Sequence, residues 1–504
     1  MGFTDLSFWA YLFVAWLVYK IVWAYFGESV LVRLYPEHYS VWAGTKPPPS
    51  TGLWQQLQFI RKAMALAKAD GDLFDDIICP GFERDGNTVE RSDFETGTVR
   101  RGALFPVLGN SIFTSDGSFW EHSRALFRPQ FSRDNINDLA ATGKASDALI
   151  AACGYTGADG WTGEVKLSPL FYNFTLDTAT DFLFGESLNS QDTAIAQARG
   201  EPVGSGDSVS TSEQFYSSLD LINTKVITRF RLGPMYWLGD GFEFRKAANF
   251  IKSWTEKYAQ LALRATDSAT DKGKKSNVLS TLATQCKDVS ELRNQTLAIL
   301  FAGRDTTASL LGWMFIRLAL NPEIYQKLRK IVLADFPAGS EITFTGLKSC
   351  RYLQHVVNES LRLHPTVPFN ARVATRDTTL PVGGGPDGKS PIAIRKGQTI
   401  AFIVYAMHRR KDLFGEDADE FRPERFEQRI PAWQFLPFLG GPRICLGQQF
   451  ALTEASYVLV RMAQHFDKIE PVDFEEMSKM RKTIGVTMSV RDGVRVRLHK
   501  ADAA

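Results

Sequence analysis

The 504-residue chain has few cysteines and almost no net charge. Its five cysteines, Cys79, Cys153, Cys286, Cys350 and Cys445, are scattered and odd in number, with no C-x-x-C spacing. A disulfide framework or a structural zinc site needs clustered, paired cysteines, so neither is indicated and a reducing compartment suits the chain. Lys and Arg number 58 against 56 Asp and Glu, a formal charge of +2. That balance lacks the concentrated basic excess of a nucleic-acid-binding protein. No internal repeat is present. What remains is ordinary globular composition, 44 % apolar and 23 % charged, with enough apolar material for a large core.

A long apolar run stands near the N-terminus. Phe8 to Phe26 reads FWAYLFVAWLVYKIVWAYF, interrupted only by Lys20. As a helix it would extend about 28 Å, close to the hydrocarbon thickness of a bilayer. Lys20 would cost about 3 kcal/mol at the bilayer centre and less if it snorkels to an interface. A buried helix or a cleaved signal peptide are the alternatives; the second would need a basic start and a small-residue cleavage site, and neither is visible. Lys20, Arg33 and Lys46 lie in or after the run and Asp5 before it, which predicts a body facing the cytosol. Lys46-Pro-Pro-Pro-Ser50 cannot continue a helix and reads as a stiff hinge. The expected organisation is an anchor and flank over 1–45, a proline hinge over 46–50 and one globular body over 51–504.

In the body, residues 120–365 show mainly helical periodicity, and 366–405 are rich in Val, Thr, Ile and turn residues, which predicts strands. Gly200–Ser212 is polar and rich in Gly and Ser, a predicted loop. The fold class is therefore mainly α with a small β region. Within 382–391 (VGGGPDGKSP), Gly383–Ser390 fits the phosphate-loop pattern G-x-x-x-x-G-K-[ST]. A phosphate loop runs from a buried strand into a helix. Here Pro386 interrupts the loop, Pro391 stands where the helix should begin, and Ile392–Gly397 alternates like a strand. The stretch predicts a glycine-rich tip between two strands, with Lys389 a surface charge and no nucleotide binding.

Residues 435–450, FLPFLGGPRICLGQQF, place Cys445 on a glycine- and proline-rich loop just before a helical pattern. Unpaired N–H groups and the partial positive charge at a helix N-terminus stabilise a thiolate, the form that ligates metal. Gly441 and Gly447 permit close backbone approach or backbone angles closed to other residues. Arg443 can reach an anionic group on a cofactor. The competing reading is a buried, inert cysteine.

Phe438-x-x-Gly441-x-Arg443-x-Cys445-x-Gly447 resembles, without a mismatch, the haem-binding signature of the cytochrome P-450 haem-thiolate monooxygenases. Further stretches match in family order, and the resemblance covers nearly the whole chain. It implies the cytochrome P-450 fold behind one N-terminal transmembrane helix, with haem b ligated by Cys445. Ala302-Gly303-Arg304-Asp305-Thr306-Thr307, in the helical run Leu292–Leu318, resembles the central helix over the haem. Gly303 would then admit dioxygen against the backbone, and Thr306 and Asp305 would form an alcohol–acid pair for proton delivery. Glu359-Ser-Leu-Arg362 and Arg425 resemble the family's buried Glu–Arg–Arg network, a structural device. Trp120 and Arg124, at i, i+4, with Arg372 and Arg443, would hold the two haem propionates. Read without the resemblance, Glu359 and Arg362 are an ordinary helix-surface pair, and Asp305 and Thr306 an exposed polar turn.

Because the resemblance uses up the body, no fused flavin or ferredoxin domain is expected, and the resemblance implies O2 as co-substrate and NADPH electrons from a separate reductase at the endoplasmic reticulum membrane. The stretches around Trp120 and NARVATRDTTLPVGGGPDGKSPIAIRKGQ are similar to the fungal alkane and fatty-acid terminal hydroxylases. Hydroxylation of a long-chain fatty acid or n-alkane at or near its terminal carbon is therefore expected. Another lipophilic substrate, a reductase-independent isomerase or dehydratase, and a non-catalytic membrane haem protein are the alternatives. The isomerases usually lack the acid–alcohol pair. Candidate substrate-lining residues are Phe301, Ala302, Val367, Pro368 and Phe369. Arg128 and Arg133, expected on one helix with Trp120 and Arg124, are candidates for a basic face toward an acidic reductase.

Overall fold

The computed structural model describes residues 93–201, 207–267, 277–337, 339–385, 389–431 and 433–502. The anchor at Phe8–Phe26 and the hinge at 46–50 lie outside the described residues. Among the described residues no helix is long and apolar enough to cross a membrane.

Helices longer than ten residues are α1 (Gly97–Leu108), α2 (Gly117–Phe127), α3 (Ala140–Ala152), α4 (Leu167–Phe184), α5 (Asp207–Arg231), α6 (Phe242–Asp267), α7 (Val289–Leu320), α8 (Pro322–Asp335), α9 (Arg351–Leu363) and α10 (Gln448–His465). The strands are β1 (Phe94–Glu95), β2 (Val165–Lys166), β3 (Phe369–Ala374), β4 (Thr378–Gly384), β5 (Ser390–Ile394), β6 (Thr399–Ile403), β7 (Phe466–Pro471), β8 (Lys482–Ile484), β9 (Met488–Val490) and β10 (Arg495–Lys500). The expected partition, helical to about 365 and then strands to about 405, is observed. Two boundaries differ. Asp207–Ser212 belong to the first turns of α5 and not to a loop, because Ser and Thr at an acid-led helix start are tolerated where composition alone suggests a turn. The helix carrying Trp120 ends at Phe127, since Pro129 cannot continue it, and a 3-10 turn Arg128–Phe131 follows. Arg128 and Arg133 therefore lie off α2, and Arg133 donates to Thr345 Oγ1 at 3.1 Å.

The chain divides into two compact units, 1–95 with 371–402, and 96–370 with 403–504. In the smaller, β1 and β3 pair antiparallel, with Phe94 opposite Ala374. β4 and β5 form an antiparallel hairpin, with Thr378 opposite Ile394 and Gly384 opposite Ser390. Ala374, Leu380 and Ile394 make its core. The glycine-rich stretch is the hairpin end, as expected. Gly383 has φ +112°, and a Cβ there would meet Ile392 Cδ1 at 2.8 Å, so glycine serves the turn. A strand begins at Ser390 where a phosphate loop would start a helix.

In the larger unit, α7 is the central element, 32 residues capped by Asp288, whose side chain accepts from Ser290 N–H. It ends at Asn321, before Pro322. From α5, Phe215, Leu219, Ile222 and Val226, spaced as one helix face, join Leu297, Leu300 and Phe301 of α7 in the main core. The β8–β9 hairpin is pinned to α7 through the Met488 carbonyl, which accepts from Trp313 Nε1 at 2.9 Å and Ser309 Oγ at 2.5 Å.

Glu359, Arg362 and Arg425 meet. Arg362 holds Glu359 with two bonds of 2.7 and 2.8 Å, and both side chains are 0 % exposed. Arg425 Nε approaches Glu359 Oε1 at 3.5 Å, and its other nitrogens donate to Asp417 and the Phe414 carbonyl. Arg362 also donates to the carbonyls of His408 and Ala418, at 2.8 and 2.6 Å. His408 accepts from Leu436 N–H at 2.8 Å, tying this network to the segment that leads into the Cys445 loop. Burial pushes the His408 imidazole down to about 3, so it stays neutral and free to accept that bond. Removing one member of a buried ion pair strands the other charge. Glu359→Gln is expected to cost about 3–5 kcal/mol, whereas Lys327→Ala, which breaks the half-exposed pair with Glu424, should cost at most about 1 kcal/mol. Comparing the two in denaturant unfolding checks this; equal losses would contradict it.

Candidate active site

The Cys445 loop is shaped by two left-handed residues, Leu439 at φ 61° and Gly441 at φ 70°. Cys445 N–H donates to the Phe438 carbonyl at 3.1 Å, closing the loop, and Gly441–Arg443 forms a 3-10 turn. A Cβ at Gly440 would lie 2.6 Å from the Trp433 ring. α10 starts three residues after Cys445. Gly441 thus has the special backbone angle expected of it. Gly447 does not: its φ is −83°, and a Cβ would make ordinary contact with Phe131 at 3.6 Å. Its contribution is its N–H, which bonds the Cys445 sulfur.

Cys445 is accessible, unlike the buried Cys153, Cys286 and Cys350. Burial nonetheless raises its thiol pKa most, with the Gly447 N–H and the Arg124 charge acting to lower it. Cys153 is pushed up to about 12 by burial and is an inert core thiol.

α2 presents Trp120 and Arg124 one turn apart toward this loop. Arg124 Nη1 donates to the Ile444 carbonyl at 3.0 Å. The Trp120 ring has the Arg443 guanidinium at 4.4 Å and that of Arg124 at 5.9 Å. Arg443 also bonds Asp116 at 2.6 Å, a carboxylate that accepts from Thr96 N–H and Oγ1. Sequence reasoning missed Asp116, which lies just before α2 and links three segments. Arg124, by contrast, has no carboxylate partner among the described residues. Burial, then the charge of Arg128, lowers its pKa, a sign of a cation held away from water. A thiol bonded by a backbone N–H, an indole, and a half-buried guanidinium without a protein anion fit an iron porphyrin bearing carboxylates. Arg372 belongs to the smaller unit, where it is buried on β3 with its guanidinium 5.5 Å from the Phe402 ring.

α2 is also tied to α7: Gln295 Nε2 donates to Ser123 Oγ at 2.5 Å, and His122 meets Glu291 at 2.8 Å. Most of α7 is buried, yet Ile299, Ala302, Gly303 and Thr306 are partly accessible. Their spacing of i, i+3, i+4, i+7 is one helix face. A Cβ at Gly303 would find only Ala179, at 3.9 Å. The central helix is thus open along one stripe. Ala302 lies on it, as expected of a lining residue. Phe301 does not: it points the other way, into the main core, because adjacent helical residues diverge by about 100°. Ile299 lies on the stripe instead. Val367 is partly accessible, Pro368 is buried, and Phe369 is 41 % exposed at the start of β3.

Thr306 and Asp305 are neighbours along α7, but their side chains are not paired. Thr306 Oγ1 donates to the Ala302 carbonyl at 2.8 Å. Asp305 is buried, bonded by Arg304 Nη1 at 2.8 Å and by Asn223 Nδ2. Residues i and i+1 do not face each other on a helix, so the alcohol–acid pair needs a rearrangement to form.

A second buried carboxyl was also missed. Glu454 of α10 is 2 % exposed and hydrogen-bonds Thr178 of α4 and Thr307 of α7, while its Oε1 has no partner. Burial pushes it up to about 8. Its register could have revealed it: Glu454, Val458 and Met462 fall on one buried face at spacings of four.

The sequence profile of the family described as Cytochrome P450 matches residues 92–492. A protein named Cytochrome P450 monooxygenase g430, from a Fusarium species, is 47 % identical over 392 residues, 76 % of this chain and 68 % of its own length. Cytochrome P450 monooxygenase alt2 from Alternaria solani is 44 % identical, covering 76 % and 73 %. Cytochrome P450 52A1 from Candida tropicalis is 43 % identical, covering 81 % and 75 %.

Glu454 supplies a pH prediction. Its folded pKa exceeds the usual carboxylate value, so the folded state holds the proton that the unfolded chain releases. The stabilisation this brings is complete below the unfolded pKa and is lost as pH rises toward about 8. Relative to Glu454→Gln, the unmodified protein should lose roughly 1 kcal/mol per pH unit between about pH 5 and 8 and level off above. Unfolding of both proteins across that range checks it; parallel curves would contradict it.

Proposed function

The chain belongs to the cytochrome P450 family, whose members are haem monooxygenases, and from that premise we propose that it hydroxylates a long-chain fatty acid or n-alkane at or near the terminal carbon. The observation that carries the reading is the open stripe of α7, Ile299, Ala302 and Gly303, which offers an alkyl chain apolar surface and ends at the hydroxyl of Thr306. The likeness of the 370–398 stretch to fungal alkane and fatty-acid hydroxylases supports the same substrate class. The overall change is R–H + O2 + NADPH + H+ → R–OH + H2O + NADP+, with electrons delivered by a separate NADPH-dependent reductase. The apolar run Phe8–Phe26, read as a membrane anchor, supports a place at the endoplasmic reticulum membrane with the catalytic body toward the cytosol.

Haem b, held by Cys445, supplies the reductive activation of dioxygen and the insertion of one oxygen atom into a C–H bond. The residues of this chain do the rest. The Gly447 N–H and the Arg124 charge favour the thiolate of Cys445. Arg124, Arg443 and Trp120 take the carboxylates of the group. The apolar stripe orients the chain and excludes water. Thr306 holds a proton at Oγ1, and Asp305, next along the helix, resupplies it. Phe438 and Gly441 keep the ligand loop in shape, and Glu359, Arg362 and Arg425 hold the segment that leads into it.

Cys445→Ala is expected to remove the haem-thiolate band of the reduced carbon-monoxide complex together with turnover; a retained band would refute the ligand assignment. Thr306→Ala is expected to divert reducing equivalents to peroxide, so the ratio of product to NADPH consumed should fall several-fold. An unchanged ratio would remove Thr306 from proton delivery. Substrate-induced spectral titrations with fatty acids and n-alkanes of increasing length test the substrate class. Affinity should rise with chain length; a flat response would redirect the search to other lipophilic compounds.

A further inference from the structure

The polar turn of α7 is clamped from a second helix. Arg304 and Asp305 are 2 % and 5 % exposed, so the cation and the carboxylate are both withdrawn from water. Asp305 Oδ1 takes the Arg304 bond, and Oδ2 takes the bond from Asn223 Nδ2. The Arg304 guanidinium lies over two aromatic rings, Tyr172 of α4 at 4.9 Å and Tyr216 of α5 at 4.7 Å. Tyr216 and Asn223 are seven residues apart, two turns of α5, and so share a face. One face of α5 therefore grips consecutive residues of α7. Both carboxylate oxygens are occupied on the side away from Thr306, whose hydroxyl lies on the open stripe.

We propose that Asn223 is a positioning residue that latches the Asp305 carboxylate to α5, so that the acid serves Thr306 only when α5 moves far enough to break the bond. The reading rests on Asp305 as the proton source assigned above. Two features make α5 a suitable latch. Its hold on Asp305 is a single hydrogen bond from a neutral side chain, easily broken and remade beside the stronger Arg304 contact. In addition, Ile222, next to Asn223, lies in the core cluster against which Ile299 of the open stripe packs. An alkyl chain on that stripe presses on the same packing that carries Asn223. The groups facing Asp305 are Arg304 from α7, and Asn223 and Asp220 from α5, with Tyr172 and Tyr216 flanking. Burial raises the Asp305 pKa, and Arg304 and Asn223 act against it.

The test uses the haem-loaded full chain with Asn223→Ala, Asn223→Ser and Asp305→Asn. The carboxyl infrared band of Asp305, identified by its loss in Asp305→Asn, is titrated, and the pH profile of product formed per NADPH is recorded. Asn223→Ala should keep the haem-thiolate spectrum and bind substrate within about twofold of the unmodified enzyme. Its carboxyl titration and its pH profile should both move upward by about half a pH unit or more, because a bond that favours the anion is gone. Asn223→Ser, which retains a donor, should restore part of the shift. Should Asn223→Ala be too unstable to load haem, Asn223→Leu, which keeps the branched outline of the side chain, replaces it with the same expectation. Unmoved titration and profile in the folded variant overturn the latch. If Asp305→Asn itself leaves the profile unchanged, the proton role of Asp305 fails and the latch with it, while the haem and substrate assignments stand on their own tests.

Discussion

Enclosure of the 32-residue helix α7 governs the larger unit. A polar group taken out of water must find a partner inside, and α7 carries many. Gln295 answers to Ser123 on α2, Ser309 and Trp313 to the Met488 carbonyl, Thr307 to Glu454 on α10, and Asp305 to Asn223 on α5. Each bond fixes the azimuth of a neighbouring element about the helix. The stripe at Ile299, Ala302, Gly303 and Thr306 is where that enclosure stops. The opening is defined as much by the partners elsewhere on α7 as by its own lining.

Charge follows the same rule around the cysteine loop. Glu359 and Arg362 are wholly buried and satisfy each other, and the surplus donors of Arg362 bind carbonyls of the segment that reaches Leu436 through His408. On the other side of the loop the cations are not fully matched. Arg443 has Asp116, while Arg124 has the Ile444 carbonyl and the Trp120 ring but no carboxylate among the described residues. The Arg124 charge beside an accessible thiol lowers the cost of keeping the sulfur as thiolate.

Several of these features were legible in the sequence, for a local reason. The Cys445 loop is contiguous, and its glycines, proline and following helix are set by nearby backbone preferences. The hairpin at Gly383–Ser390 was readable because Pro391 and the alternation after it forbid the helix that a phosphate loop requires. Trp120 and Arg124 share a face by spacing alone. The sequence says less where a side chain's azimuth or partner decides the matter. Phe301 and Ile299 are equally apolar in sequence, yet one faces the core and the other the opening. Asp305 beside Thr306 reads as a pair, but neighbouring helical residues diverge, and the acid turned to Arg304 and Asn223.

The sequence by itself determined the Cys445 loop, the central helix, the Glu–Arg pair and the strand-rich stretch, since each rests on interactions spanning a few residues. Only the tertiary structure decided which face of α7 stays open, that Asp116 neutralises Arg443, that Glu454 is buried among threonines, and that α5 holds Asp305. The physical reason is that burial and hydrogen-bond partnership are properties of the whole packing. A polar side chain's role is set by what surrounds it, and those groups come from segments tens to hundreds of residues away.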